Sequence, residues 1–246
     1  WIYKTYGSTH DIDLGHAPNP AEALKVSCNI YFYELGRRLG REGILDLYRD
    51  YGVGTPIDLP IPGAHRGWLG PRGSGRVTTD EAILMGIGQG PVAWTPLHAA
   101  DAMATLGRGG VRVPPALVAG QYNIGTDLGY DPGILAETLR GLWLAVNDPR
   151  GTAHSIGFGQ AGERFEIFDA PGVTVWGKTG TATATDLVID GAVLRRGDHS
   201  WFTLLCGRER PEYAIAVVAE YGGSGGRVSG PIANQIVHAL IDEGYL

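Results

Sequence analysis

The residues best suited to do chemistry are Lys178-Thr179-Gly180-Thr181, which follow the β-branched run Val173 to Trp176. Such a run predicts a strand. On that strand Lys178 fixes a positive charge at the edge. Thr179 and Thr181 add hydroxyls that can hydrogen-bond a carboxylate. Gly180 omits a side chain where an extended peptide would lie against the backbone as an added strand. The chemistry implied is capture of a peptide that ends in a carboxylate. A K-T-G alone is also what a strand lysine before a turn looks like. A second triplet, Ser27-Cys28-Asn29, adds a hydroxyl and an amide at an expected helix break.

Other polar clusters read as structural. His10, Asp11, Asp13 and His16 have the residue types of a metal site, but no helical or strand spacing converges them. They read as a solvated loop. Cys28 and Cys206 are far apart and lack metal-ligand spacing, which argues against zinc and against a disulfide framework. Asp186 and Asp190 flank an expected hairpin and read as solvated. His98 and His238 fall on predicted helices as packing or surface residues, and His199 leads into a strand. Gly222 to Gly226 lacks the lysine and the helix start of a phosphate loop.

The elements that must position these residues follow from pattern. Asn19 is a plausible cap, Pro20 suits the first helical position and Glu22 lies in the first turn. Apolar positions from Leu24 to Leu39 continue the helix to Gly40, with Ser27-Cys28-Asn29 as an interruption, and a second stretch runs from Glu42 to Tyr51. Residues 52–77 read as loop, with Pro56, Pro60, Pro62 and Pro71. Thr95-Pro96 opens a strong helix that Gly107, Gly109 and Gly110 stop. Val111 to Val118 reads as extended, and Ile134 to Val146 as an amphipathic helix. Ser200 to Cys206 and Tyr213 to Tyr221 read as strands, the second apolar enough to be covered on both faces. A closing helix spans Ser229 to Ile241, with Ile232, Ile236, Val237, Leu240 and Ile241 on one face. Short connections favour antiparallel pairing. The expected architecture is α+β: a helical middle section, then an antiparallel sheet packed by a C-terminal helix, in one domain spanning residues 1–246.

Bulk properties agree. The chain has 246 residues, 39 of them glycine, and a net charge of −6, so it lacks the basic surface of a general nucleic-acid binder. No apolar run approaches the ~18 residues needed to span a bilayer. The start, Trp1-Ile2-Tyr3-Lys4, has no initiator Met and is not a signal peptide, so the chain is expected to be a piece of something longer or a processed product.

The two triplets, in this order, resemble two of the three motifs (S-x-x-K, S-x-N, K-T-G) of active-site-serine penicillin-recognising enzymes. Longer segments extend the resemblance over nearly the whole chain. Ser27 to Gly36, Ile87-Gly88-Gln89-Gly90 with Trp94-Thr95-Pro96-Leu97, Asn147 to Ala153, His199-Ser200-Trp201-Phe202 and the glycine run after Glu220 are all similar to elongation-type (class B) penicillin-binding protein transpeptidase domains. The resemblance implies the β-lactamase/D,D-peptidase-like fold, an antiparallel sheet flanked by helices, incomplete at its N-terminus. It implies a D,D-transpeptidase that crosslinks peptidoglycan stem peptides ending in D-Ala-D-Ala through an acyl-serine, with β-lactams as mimics. By the resemblance, Ser27 relays a proton, Asn29 holds the substrate amide, and Lys178 keeps the site electropositive. Thr179 and Thr181 bind the terminal carboxylate beside Gly180, and the Thr181 amide is an oxyanion donor. No metal or organic cofactor is implied, and no nucleic-acid partner. The parent is expected to be anchored in the inner membrane with this domain facing the periplasm, working with a membrane glycan polymerase. One departure is sharp: none of the seven serines has a lysine three positions on. The nucleophile and its lysine are therefore expected upstream of Trp1, and this chain alone is expected not to acylate. The alternatives are a serine β-lactamase or D,D-carboxypeptidase of the same fold, and a non-catalytic penicillin-binding-like sensor or scaffold module.

Overall fold

The structure, a computed structural model, describes residues 16–57, 59, 65–71, 75–158 and 163–246. His10, Asp11 and Asp13 lie outside them. The chain forms two compact units, one taking in Cys28–Leu135 and the other Asn19–Ser27 together with Ala136–Leu246.

In the second unit, helix α1 (Pro20–Lys25) opens with a reciprocal cap: Asn19 accepts from the Glu22 amide, and Glu22 from the Asn19 amide. In the first unit α2 (Asn29–Asp50) carries the expected break at Gly40, whose φ of 67° and ψ of −173° interrupt the helix. Strand β1 (Trp68–Leu69) pairs with β2 (Val92–Ala93), and β3 (Val111–Arg112) with β4 (Thr126–Asp127), both antiparallel. Thr78 and Glu81 cap α3 (Thr79–Met85), and Thr95 caps α4 (Pro96–Gly107). Tyr48 sits in the apolar cluster with Ile44, Val53, Val77, Ala82 and Met85, and its hydroxyl donates to the Met85 carbonyl at 2.7 Å. β3 stops well short of Val118, because Pro114 and Pro115 cannot donate to a ladder.

The second unit holds the sheet. Helix α5 (Pro132–Asn147) leads into the hairpin β5 (Ser155–Phe158) and β6 (Glu163–Glu166), which the sequence pattern did not announce. Then β7 (Thr174–Thr183), the hairpin β8 (Leu187–Ile189) and β9 (Ala192–Arg195), β10 (Asp198–Gly207), β11 (Tyr213–Ala219) and α6 (Ser229–Asp242) follow. β11, β10 and β7 form one antiparallel sheet in that order, with Lys178 opposite Thr203 and Gly180 opposite Trp201. Asp190 and Gly191, with φ of 51° and 77°, turn the β8–β9 hairpin as the Asp-Gly pair favours. The core joins Val175, Phe202, Leu204, Cys206 and Val217 of the sheet to Ala233 and Val237 of α6.

Two expectations need correction. β11 is half-buried along most of its length rather than covered on both faces, because it is an edge strand whose sole strand partner among the described residues is β10. α6 packs through Ser229, Gly230, Ala233 and Val237, while Ile232 and Ile236 are 40% and 37% exposed. Small residues win the contact because the backbone comes close. A side chain on Gly230 would meet Ile167 at 2.9 Å.

Candidate active site

One helix end and one strand bring the two motifs together. α1 ends after Lys25, and the chain reaches Ser27 in the left-handed region, with φ of 53°. A non-glycine residue pays roughly 1–2 kcal/mol to sit there. Its amide still donates to the Leu24 carbonyl at 3.2 Å. β7 brings Lys178 to it: the ammonium Nζ donates to Ser27 Oγ and to the Thr179 carbonyl, each at 2.8 Å. Two motifs 151 residues apart in sequence thus meet in one hydrogen bond. Loss of water around the amine pushes the Lys178 pKa down to about 8.

The K-T-G strand is held from behind. Gly225 lies so close to the backbone of Gly180 and Trp201 that no side chain fits on it. Its amide points at Thr181 Oγ1, 3.4 Å away. Opposite Thr181 in the ladder is Ser200, wholly buried with Ser229. Their hydroxyls lie 2.7 Å apart. Ser229 Oγ donates to the Ser200 carbonyl, and the Ser229 amide donates to Ser200 Oγ. This pair ties the first turn of α6 to β10. A buried, fully bonded hydroxyl pair fixes register where a purely apolar contact would slide.

Of the residues singled out in sequence, Ser27, Lys178, Thr179, Gly180 and Thr181 lie in the second unit, with Ser27 and Lys178 in contact. Asn29 is the half-buried first residue of α2, in the other unit. Cys28 is buried. His199 Nδ1 accepts from the Tyr221 amide at 3.0 Å, a structural bond. His98 is wholly buried between Thr95 Oγ1 and the Thr55 carbonyl. Asp186 pairs with Arg196 across the hairpin. No group of metal-ligating side chains occurs among the described residues. The sequence reading missed the Ser200–Ser229 pair and an ion pair between the buried Lys25 and the half-buried Asp148. Neither has a sequence signature, since each joins residues that only the fold brings together.

Comparison with known proteins gives the class. Residues 1–238 match the family model described as the penicillin binding protein transpeptidase domain. The chain belongs to that family. It is 28% identical over 240 residues to the peptidoglycan D,D-transpeptidase PbpA of Mycobacterium tuberculosis, covering 89% of this chain and 43% of that protein. Pseudomonas aeruginosa PBP2, solved in complex with WCK 5153, superposes with a TM-score of 0.69 at 26% identity, over 89% of this chain and 48% of that one. Helicobacter pylori PBP2, solved in complex with MreC, gives a TM-score of 0.76 at 22% identity, over 93% of this chain and 41% of that one. The α+β fold with antiparallel sheets is therefore the family's. The chain spans about two fifths of the length of the curated relatives it matches.

Proposed function

We propose that this chain supplies the S-x-N and K-T-G walls of a peptidoglycan D,D-transpeptidase site. The observation that carries the proposal is the 2.8 Å bond from Lys178 Nζ to Ser27 Oγ. It makes a proton path out of two motifs that otherwise only resemble a family's. In this reading a stem peptide ending in D-Ala-D-Ala adds along the edge of β7 that faces away from β10. Thr179 and Thr181 take its carboxylate, and the absent side chain of Gly180 lets its backbone approach. The Thr181 amide faces the developing oxyanion, a donor typically worth ~3 kcal/mol. Ser27, hydrogen-bonded to the Lys178 ammonium, passes a proton to the leaving amine, and Asn29 holds the substrate amide. The acylated serine and its lysine are not among these 246 residues, since no serine here has a lysine three positions on. We read the two units as parts of one transpeptidase domain. We place the whole protein at the inner membrane, with this domain facing the periplasm and a glycan polymerase as partner. No helix among the described residues is long and apolar enough to cross a membrane.

Labelling with a fluorescent penicillin tests this. The full-length protein should label, Lys178→Ala should lose the label without losing the fold, and the 246-residue chain should stay dark. A full-length protein that carries neither serine nor lysine at an S-x-x-K position and does not label would be a binding module.

A further inference from the structure

We propose that Lys25 and Asp148 are positioning residues for Ser27, clamping the end of α1 so that the Ser27 hydroxyl meets Lys178. This deepens the proposed transpeptidase reading and rests on it for its catalytic meaning. Lys25 lies two residues before Ser27 and is 4% exposed, a rare state for a lysine. Its Nζ donates to Asp148 Oδ2 at 3.2 Å. Its carbonyl accepts from both the amide and the hydroxyl of Thr152, at 3.1 and 3.3 Å. The last residue of α1 is therefore gripped at its head group and at its backbone by one five-residue turn.

That turn is itself rigid. The Asp148 amide donates to the Leu144 carbonyl, Gly151 to the Asp148 carbonyl and Ala153 to the Ala145 carbonyl. Gly151 sits so tightly against the carbonyls of Leu144 and Ala145 that a Cβ cannot fit. Burial works against the Asp148 carboxylate, but the Arg150 amide and the Lys25 ammonium more than offset it and hold its pKa below the ordinary aspartate value. The grip is thus fixed to the C-terminal end of α5, which also packs on the sheet through Val146. A strained left-handed serine persists only where its surroundings over-determine it. Val26 and Ser27 follow the grip directly, and Ser27 bonds forward to Lys178. The pair thus sits where the chain turns into the site.

The test uses Lys25→Met and, because a buried methionine can repack, Asp148→Asn, which keeps shape and leaves the Thr152 bonds in place. The first readout is the Lys178 ammonium titration, followed by NMR of its 13Cε. Ser27→Ala removes an acceptor that favours the charged amine and lowers the Lys178 pKa. Asp148→Asn should move it the same way. The double variant should match Ser27→Ala, because the clamp acts through Ser27. Lys25→Arg should restore the wild-type titration. In the full-length protein, penicillin acylation should fall about tenfold with Asp148→Asn, the worth of one charge-assisted hydrogen bond, and no further in a Ser27→Ala background. An unmoved Lys178 titration in both Lys25→Met and Asp148→Asn, with lowered melting temperatures, overturns the proposal and leaves a stability pair. So do effects that simply add to those of Ser27→Ala. If the wild-type full-length protein does not label, the transpeptidase reading fails, and the Lys178 titration still decides whether the clamp positions Ser27.

Discussion

Lys178 should make the protein less stable at neutral pH than it would be with an apolar residue there. Burial pushes its pKa from 10.5 down to about 8. The unfolded chain therefore holds this proton more tightly than the folded one, and stability rises with pH wherever the two states differ. Below about pH 8 both states are charged and the cost of burying the charge is complete. Between about pH 8 and 10.5 the folded amine is neutral while the unfolded one still binds its proton, and the cost disappears. The full shift makes the gain from pH 7 to pH 10 about 2.5 kcal/mol at most. The two acceptors at 2.8 Å favour the charged form, and part of the side chain still meets water. Roughly half of that gain, about 1 kcal/mol, is the expected size. The assay is urea unfolding of wild type and Lys178→Met at pH 7, 8.5 and 10. The buried Tyr48 and the half-buried Tyr51 have pKa values raised mainly by loss of water, and they are common to both proteins, so the difference isolates the lysine. Lys178→Met should be the more stable protein at pH 7 and should lose that advantage by pH 10. A difference that is flat across this range would refute the claim that the amine is desolvated. A site lysine that costs stability is the pattern expected of a group kept for chemistry.

Other substitutions probe the scaffold around the strand. Gly225→Ala puts a methyl into the backbone of Gly180 and Trp201 and should cost about 2 kcal/mol, read by thermal melting; a cost under a few tenths would mean the loop is not packed against β7. Ser229→Ala leaves the buried Ser200 hydroxyl one partner short and should cost about 1 kcal/mol, with Ser200→Ala giving a similar loss and the double variant less than the sum. Gly191→Ala forces a methyl side chain to φ of 77° and should destabilise by about 1 kcal/mol while leaving penicillin labelling of the full-length protein unchanged; a lost label would tie the β8–β9 hairpin to the site.

What the sequence made legible was whatever depends on neighbours in the chain. The Asn19 and Thr95 caps and the break at Gly40 are local conformational preferences, and the structure has each of them. A hairpin near Asp186 and Asp190 was expected too, but the structure puts Asp190 in its turn and not at its flank. The K-T-G strand was legible because β-branched residues and a glycine announce it. The interruption at Ser27 was legible as a break, but its hand was not, because nothing about a serine predicts φ of 53°. Side-chain faces fared worse where backbones approach closely. Hydrophobicity pointed α6 at the core through Ile232 and Ile236, and close packing chose Gly230 and Ala233 instead. Long-range polar partners were invisible. Lys25 looks like any lysine in the last turn of a helix, where it would favour the helix dipole in solvent. Its burial depends on an aspartate 123 residues away.

These limits share one cause, and it bears on how the site can be altered. The residues that would touch a peptide, Lys178 to Thr181, lie on a strand whose local pattern already specifies it. The residues that aim Ser27 at them are specified only by contacts, with Asp148 and Thr152 on one side and Lys178 on the other. Substitutions on the strand should therefore change what binds while the protein stays folded. Substitutions at Lys25 or Asp148 should change whether the two motifs meet at all. A motif search would score both kinds of variant as intact whenever S-x-N and K-T-G survive. The Lys178-to-Ser27 bond is the quantity that separates them, and the titration of Lys178 reads it directly.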